Sequence, residues 1–302
     1  MRLDQKQLSE LAELAVRAAS SASAYIQQVD PSTLQLEGMV EHKTAGDTLA
    51  SQVVTEVDRE AQAILHAALR PSCQAFDIGW LAEEDADDGS RFVSDYFWCI
   101  DPLDGTLCFI EHALEGKSSR EGVGGFAVSV ALLDRNGLPQ IGVVADPISD
   151  RVRHAVRGSE TTRSLIRDEH FILFADRSFS ADPRAPLCLD SLEKLAQRRG
   201  LRGVEIRVEG GAVMNACWVM EHTSACYLKL PKPSLGGGSL WDFAATSCLA
   251  HACGASASDV WGKPLDLNRK DSTFMNHRGV LFASTPELAT DLLAGIGTLL
   301  RL

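Results

Sequence analysis

The residues best suited to chemistry lie in the segment Asp101-Pro102-Leu103-Asp104-Gly105-Thr106. Its two carboxylates are three residues apart and follow an apolar run at 95–100, which predicts a buried strand. Pro102 interrupts a strand ladder, Gly105 permits an unusual turn, and the N–H groups of 105–107 would open a helix or nest that faces an anion. Such a turn can hold a divalent cation with its carboxylates and a phosphate with its amides. The alternative is an ordinary turn in which an aspartate caps a helix.

Three other segments carry carboxylates that could join this turn. Glu83 heads the acidic run Glu83-Glu84-Asp85 and follows the apolar stretch IGWL, which could deliver it to the end of a strand. Asp58 closes the tetrapeptide TEVD at the start of a predicted helix, and Asp242 follows Trp241 near the start of another. Each has a plain alternative: a solvated loop for the acidic run, and helix capping for Asp58, with Thr55 as the N-cap, and for Asp242.

The elements that must position these side chains follow from hydrophobic periodicity and from turn residues. Ser239 and Asp242 form a variant of the capping box at the start of the last predicted helix, and Gly254 ends that helix. The second helix is expected to stop at Pro71. The mixed pattern of 148–185 indicates a boundary near 150–160. Helices are predicted at 5–28, about 54–69, 188–199, 212–222 and 240–252, and strands at 95–100, 126–133, 140–146, 204–208 and 225–230. A polar stretch at 41–52 and a Gly-rich segment at 113–125 are predicted as loops.

Composition narrows the class of protein. The 302 residues carry a formal charge of −12, which argues against a protein that coats nucleic acid or an anionic membrane. Apolar runs are too short for a membrane helix, and the acidic residues near the N-terminus are not those of a signal peptide. The eight cysteines form no CxxC pair and are interpreted as reduced, buried residues. We therefore expect a cytoplasmic protein of mixed α+β and α/β character, without nucleic-acid polymer or membrane partners.

The order of the segments TEVD, EE, DPLDGT and GGGSLWDFAA resembles the inositol monophosphatase superfamily, which includes 3'(2'),5'-bisphosphate nucleotidases and is related to fructose-1,6-bisphosphatases. The segments GFAVSVALLDRNGLPQIGVVADP and CGASASDVWGKPLDL resemble its central hairpin and its C-terminal strand. The resemblance implies a layered αβαβα sandwich. Its N-terminal half, 1–155, would carry most metal ligands, and its C-terminal half, 156–302, would supply Asp242 and substrate contacts. It also implies a homodimer and inhibition by Li⁺.

The same resemblance implies a Mg²⁺-dependent phosphomonoesterase with two or three ions, which hydrolyses a small phosphate ester by in-line attack of a metal-activated water. Thr106 resembles the family's water-orienting hydroxyl, supported by Asp58, and Glu83 has a catalytic as well as a ligand role. The amides of Gly105 and Thr106 would hold the phosphate. The metal ligands carried over from the family are Glu83, Asp101, the carbonyl of Leu103, Asp104 and Asp242.

Departures from the family pattern bear on the substrate. Leu235 stands where inositol phosphatases carry a substrate-binding glutamate, and Gly210-Gly211-Ala212 stands where the family often has a serine-containing turn. We therefore favour a bisphosphate such as 3'-phosphoadenosine 5'-phosphate. Inositol 1-phosphate, a sugar phosphate and a catalytically silent relative that binds a phosphorylated metabolite are the alternatives. The candidate contacts for a second phosphate are Lys117, Arg120, Lys229 and Lys232, and the alternative for Lys117 and Arg120 is solvated loop charges.

Overall fold

The computed structural model describes residues 2–29, 49–115 and 124–299. These contain seven α-helices, ten β-strands and two short 3₁₀ turns. The helices are α1 Gln5–Gln28, α2 Leu49–Phe76, α3 Thr106–Glu115, α4 Ala185–Arg198, α5 Ala212–Val219, α6 Leu240–Ala252 and α7 Pro286–Leu299. The strands are β1 Ile78–Ala82, β2 Tyr96–Asp104, β3 Ala127–Asp134, β4 Pro139–Asp146, β5 Arg151–Val156, β6 Phe171–Phe174, β7 Val204–Arg207, β8 Ala225–Lys229, β9 Ser256–Ser258 and β10 Val280–Ala283.

The strands form two five-stranded sheets. The first has the order β1-β2-β3-β4-β5, with β1 and β2 parallel and the remaining pairs antiparallel. The second has the order β7-β6-β8-β10-β9, with β6 parallel to both of its neighbours. The central strands β3 and β4 consist mainly of apolar residues and are buried on both faces. They therefore need helices on both sides of the sheet.

Five layers result, and they confirm the predicted αβαβα sandwich. Helices α1 and α2 cover the outer face of the first sheet, and α5 and α6 lie between the two sheets. Helices α4 and α7 pack together on the outer face of the second sheet. The middle layer is apolar around its circumference, as expected of helices buried between sheets. Its two helices begin near the end of β2, so the layering itself brings the acidic segments together.

Several element bounds differ from the sequence prediction. Helix α2 begins before Thr55, so Thr55 cannot be its N-cap, and it continues through Pro71 to Phe76. Strand β2 extends through Pro102 to Asp104, because a register shift against β3 absorbs the irregular residues. Helix α3 reaches Glu115, within the segment predicted as a loop. Strands β5, β6 and β10 and helix α7 were not predicted, since short or mixed runs carry little periodicity.

The remaining predictions of elements agree with the structure. Helix α1, the hairpin of β3 and β4, helices α4 to α6 and strands β7 and β8 lie within a few residues of the predicted bounds. The eight cysteines are free, and six of them are buried. Within 2–29, 49–115 and 124–299, no helix is long and apolar enough to cross a membrane. The polar stretch predicted at 41–52 and most of the predicted loop at 113–125 fall outside the described residues.

Candidate active site

The corner between β2 and α3 presents the two carboxylates of the DPLDGT segment. Asp101 accepts a hydrogen bond from the N–H of Leu103 (3.0 Å), within the irregular last part of β2. Gly105 follows with φ +82°, a left-handed conformation that disfavours any side chain. A Cβ on Gly105 would lie 2.5 Å from the carbonyl oxygen of Gly125. Helix α3 then begins at Thr106, as the predicted turn requires.

Three aspartates meet at this corner. Each of Asp101, Asp104 and Asp242 offers a carboxylate oxygen, and these atoms lie within 4.8 Å of one another. Asp101 and Asp104 are buried, whereas Asp242 is half-buried at the start of α6. Asp242 accepts a hydrogen bond from the N–H of Ser239 (3.2 Å), the contact that the predicted capping box requires. The Asp242 side chain therefore both caps α6 and belongs to the group of three aspartates.

Asp104 is anchored by the middle layer. Its Oδ1 accepts from the N–H of Ala212 (3.2 Å) and its Oδ2 from the N–H of Val213 (2.8 Å), so the carboxylate satisfies two free donors at the N-terminus of α5. This position suits a negative charge. A Cβ on Gly211 would lie 2.4 Å from Asp104 Oδ2, so the glycine that precedes α5 makes the contact possible.

Glu83 and Asp58 border the three aspartates. Glu83 follows β1, as predicted, and its N–H donates to the carbonyl of Ile100 on β2 (3.2 Å). Its side chain keeps exposed surface but hydrogen-bonds with Asp101. Asp58 is buried on α2, where Glu84 and Glu83 are its charged neighbours. Neither belongs to the compact group of oxygens, and both widen the acidic cluster on the side of the first sheet.

Crowded carboxylates in a buried site hold protons more tightly. Burial, reinforced by Glu83 for Asp101 and by Asp242 for Asp104, raises the pKa of both buried aspartates well above the ordinary range. Burial raises the pKa of Asp242 to about 6, an effect opposed by the positive charge of Lys229. The ionised cluster is therefore unfavourable unless additional positive charge is present.

The two bordering acids show the same effect. Burial and the charge of Asp242 raise the pKa of Glu83 to about 7, although its hydrogen bond with Asp101 opposes the shift. Burial, followed by the charges of Glu84 and Glu83, raises the pKa of Asp58 to about 8. Hard divalent cations prefer oxygen ligands, and a set of converging carboxylates without matching cationic side chains fits Mg²⁺. The donor set thus agrees with the implied metal.

Thr106 and Leu103 complete the corner. The Thr106 hydroxyl donates to the carbonyl oxygen of Leu103 (3.2 Å), so the predicted water-orienting group and the predicted carbonyl ligand are in contact. That carbonyl keeps a second lone pair for another partner. The amides of Gly105 and Thr106 lie at the start of α3, and the Gly105 carbonyl accepts a hydrogen bond from the N–H of Phe109 (3.0 Å). The corner therefore brings a hydroxyl, a carbonyl and helix-end amides to one place beside the aspartates.

The predicted substrate cations divide into two groups. Lys229 ends β8, is nearly buried, and pairs with Asp176 (2.7 Å). Its positive charge opposes the rise in pKa at both Asp104 and Asp242. Lys232 lies along the chain from it, and both lysines line a cleft of about 70 Å³. Lys117 and Arg120 lie outside the described residues.

Sequence reasoning did not identify Asp176 or the amides of α5. Asp176 accepts from the Tyr227 hydroxyl (2.7 Å) and from Lys229, so it holds the lysine near the acidic cluster. It follows β6, whose apolar run FILF is the signal that could have revealed it. The amide contacts of Ala212 and Val213 have no local signal, because they depend on residues more than 100 positions away.

Comparisons with known proteins agree with this geometry. The model of the inositol monophosphatase family matches residues 7–296. The chain is 30% identical over 233 residues to the 3'(2'),5'-bisphosphate nucleotidase CysQ of Shigella flexneri, with 74% of this chain and 82% of that protein covered. It is 32% identical over 220 residues to the Nus factor SuhB of Pseudomonas aeruginosa, with 70% and 74% covered.

Solved structures show the same fold. The inositol monophosphatase from Anabaena (Nostoc) sp. PCC 7120 superposes with a TM-score of 0.66 at 22% identity, and 96% of each chain is covered. The family match spans nearly the whole chain, including every acidic segment that the fold brings together. By sequence, then, the chain belongs to the inositol monophosphatase family of phosphatases.

Proposed function

We propose that the chain is a Mg²⁺-dependent phosphomonoesterase whose preferred substrate is a nucleoside 3',5'-bisphosphate. The observation that carries the catalytic part is the convergence of Asp101, Asp104 and Asp242 within 4.8 Å at the corner between β2 and α3. Phosphate monoesters repel nucleophiles, so hydrolysis needs concentrated positive charge, and carboxylates at this spacing can hold the cations that supply it.

The side chains have distinct tasks in this proposal. The three aspartates, Glu83 and the Leu103 carbonyl would hold the metal. When bound, it would neutralise the phosphate, lower the pKa of a nearby water and stabilise the leaving alkoxide. Thr106 orients the attacking water, with Asp58 supporting it. The amides at the start of α3 hold phosphate oxygens, because free N–H groups and the helix dipole favour an anion there. The water would attack phosphorus opposite the leaving oxygen, the bond between phosphorus and that oxygen would break, and no phosphoenzyme would form.

The proposed substrate preference rests on two lysines, and on Leu235 in the place of a glutamate that would bind ring hydroxyls. Lys229 and Lys232 line one cleft, and Lys229 is near enough to the acidic corner for its charge to act on Asp104 and Asp242. We propose that a second phosphate binds these two lysines. The side chain of Leu235 is 72% exposed and offers no acceptor for ring hydroxyls. The similarity to the CysQ nucleotidase supports the same preference, whereas the similarity to the SuhB protein supports only the phosphatase family.

The decisive experiment measures phosphate release with Mg²⁺ from 3'-phosphoadenosine 5'-phosphate and from inositol 1-phosphate at matched concentrations. We expect the nucleotide to be preferred, and we expect chelation or Li⁺ to suppress turnover. Lys229→Gln should lower kcat/KM for the nucleotide at least about tenfold more than for the inositol phosphate, because it removes a charge-assisted contact made only by the second phosphate.

Lys194→Gln is the matched control, because Lys194 lies on α4 and pairs with Asp190 away from the acidic corner. It should leave both substrates unaffected. Preference for inositol 1-phosphate, with equal effects of Lys229→Gln on both substrates, would contradict the proposed specificity. Release from neither substrate would direct the search to sugar phosphates or to a silent relative. A Mg²⁺-independent release would contradict the role of the three aspartates.

A further inference from the structure

A second pocket lies at the opposite end of the middle-layer helices from the acidic corner. It has a volume of about 240 Å³ and is walled by β5, by the segment 161–164, and by the C-terminal ends of α5 and α6. Both helices begin near the three aspartates, since Asp104 caps α5 and α6 carries Asp242. Helix α5 has eight residues and is therefore about 12 Å long. The two sites are distinct and share two helices.

Positive charge dominates this pocket. Arg151, Arg153 and Arg163 line it, and Glu221 is the acidic residue among its described lining residues. Three guanidinium groups against one carboxylate leave a local excess of two positive charges, in a chain whose formal charge is −12. A basic cavity in an acidic protein is a local region of positive potential, so small anions are attracted to it rather than to the rest of the surface.

The pairing within the pocket leaves positive charge uncompensated. Arg151 and Arg153 both donate to the same oxygen of Glu221, at 2.8 Å and 2.7 Å, so one carboxylate is shared by two guanidinium groups. The Nη1 of Arg153 is buried without a hydrogen-bond partner among the described residues and has less than 1 Å² of accessible surface. This nitrogen therefore adds positive charge beside the pocket rather than a donor that a ligand could contact.

Arg163 adds a charge that has no carboxylate partner within the described part of the chain. Its guanidinium donates to the backbone carbonyls of Met220 (3.2 Å) and Ser284 (2.6 Å), which fix its position but carry no formal charge. Thr161, Thr162 and Ser164, whose side chains carry hydroxyl groups, line the same pocket. Guanidinium and hydroxyl groups are the donors with which proteins bind oxyanions.

The walls of the pocket are held in place by backbone hydrogen bonds. The N–H of Thr161 donates to the carbonyl of Ala252 at the end of α6 (2.9 Å). The N–H of Ile166 donates to the carbonyl of Glu221 (2.7 Å), and that of Thr223 donates back to Ile166 (3.0 Å). The segment that carries Arg163 is thus tied to both helices before any ligand binds, which reduces the ordering cost of binding.

We infer that this arginine pocket binds a small phosphate-bearing anion, at a site separate from the acidic corner and independent of divalent cations. Its volume suits a small metabolite or inorganic phosphate rather than a large cofactor. The two sites are separable by experiment, because the acidic corner repels phosphate without metal, whereas the arginine pocket attracts it.

The test is a titration of the full chain with inorganic phosphate in excess EDTA, followed by calorimetry and by ³¹P NMR line width. The wild-type chain should bind phosphate at one site, and binding should weaken as ionic strength rises. Arg163→Gln and Arg151→Gln should each weaken it at least about tenfold. Arg151 is largely exposed, so its replacement keeps the test valid even if Arg163→Gln disturbs folding.

Arg167→Gln is the matched control, because Arg167 is exposed four residues beyond Arg163 and does not line the pocket. It should bind phosphate as the wild type does. Absence of binding in EDTA, or equal binding by all variants, would overturn the inference. A dicarboxylate such as malonate, titrated in parallel, separates recognition of phosphate from general attraction of anions; tighter binding of malonate would overturn the assignment to phosphate. Metal-dependent phosphate release is measured separately, so failure of either proposal leaves the other standing.

Discussion

Asp104 shows how one side chain joins structure and chemistry. Its two oxygens accept from the first amides of α5, and one of them also faces the other aspartates of the cluster. Gly211 makes this approach possible, since a Cβ there would lie 2.4 Å from Asp104 Oδ2 and 2.7 Å from the Cα of Gly105. A backbone atom and a buried carboxylate cannot move aside as a flexible chain end can.

We therefore expect Gly211→Ala to abolish most Mg²⁺-dependent phosphate release and to destabilise the fold by about 1–3 kcal/mol, as overpacking does. Urea unfolding and phosphate release measure the two effects. Gly297→Ala is the control, because that glycine lies in α7 with open space around its missing Cβ. It should be active and slightly more stable, as alanine favours helix. Equal activity of the two variants would show that the close contact is unimportant.

Helix α2 shows how packing overrides a local stop signal. Pro71 lies inside it, where the missing N–H and the ring should break the helix. The next residue anchors the helix to the sheet: the hydroxyl of Ser72 donates to the carbonyl of Leu69 (2.6 Å) and accepts from the indole N–H of Trp98 (3.0 Å). The last turn is thereby attached to β2 of the first sheet, and the helix continues.

Pro71→Ala should accordingly stabilise the protein, by about 1–2 kcal/mol, since alanine restores a helix hydrogen bond and removes the ring clash. Equilibrium urea unfolding provides the measurement. Pro286→Ala supplies the contrast, because Pro286 is the first residue of α7, where proline is well tolerated. That variant should be neutral or slightly less stable. A loss of stability in Pro71→Ala would mean that the distortion at this position is itself required.

At the scale of the molecule, an acidic cluster is buried where three layers meet. Each carboxylate there has a raised pKa, so the folded state without metal retains protons that the unfolded chain releases near pH 4. Stability falls with rising pH wherever the native state holds more protons than the unfolded state. Bound cations favour the ionised carboxylates and oppose this loss.

The melting temperature in EDTA should therefore fall as pH rises from about 4, and the fall should continue between about pH 7 and about pH 8. The contribution of Glu83 and Asp58 should then level off, because both groups are by then ionised in the folded protein as well. His251 and His277, whose pKa values are lowered mainly by burial, contribute little change there because both states are then neutral. Mg²⁺ should flatten the slope, and Asp58→Asn should make it shallower without metal. A slope that is identical with and without Mg²⁺ would argue against metal binding at the cluster.

Much of this molecule was predictable from local patterns. Helix α1, the hairpin of β3 and β4, and the start of α6 follow from periodicity, turn residues and a capping pair, each of which acts over a few residues. The acidic segments could also be named, because their order along the chain resembles that of a known family, although each segment alone has an ordinary alternative as a cap or a loop. Short strands such as β6 were missed, since four apolar residues do not reveal a period.

Residue types and their order along the chain thus determined which carboxylates could form a site and which fold class could carry it. Only the tertiary structure decided which atoms meet: that Asp104 caps α5, that Asp176 holds Lys229 near the aspartates, and that arginines gather at the far ends of α5 and α6. The reason is physical. Hydrogen bonds within a turn depend on neighbours in sequence, whereas these contacts join residues brought together by the packing of two sheets around a shared helical layer.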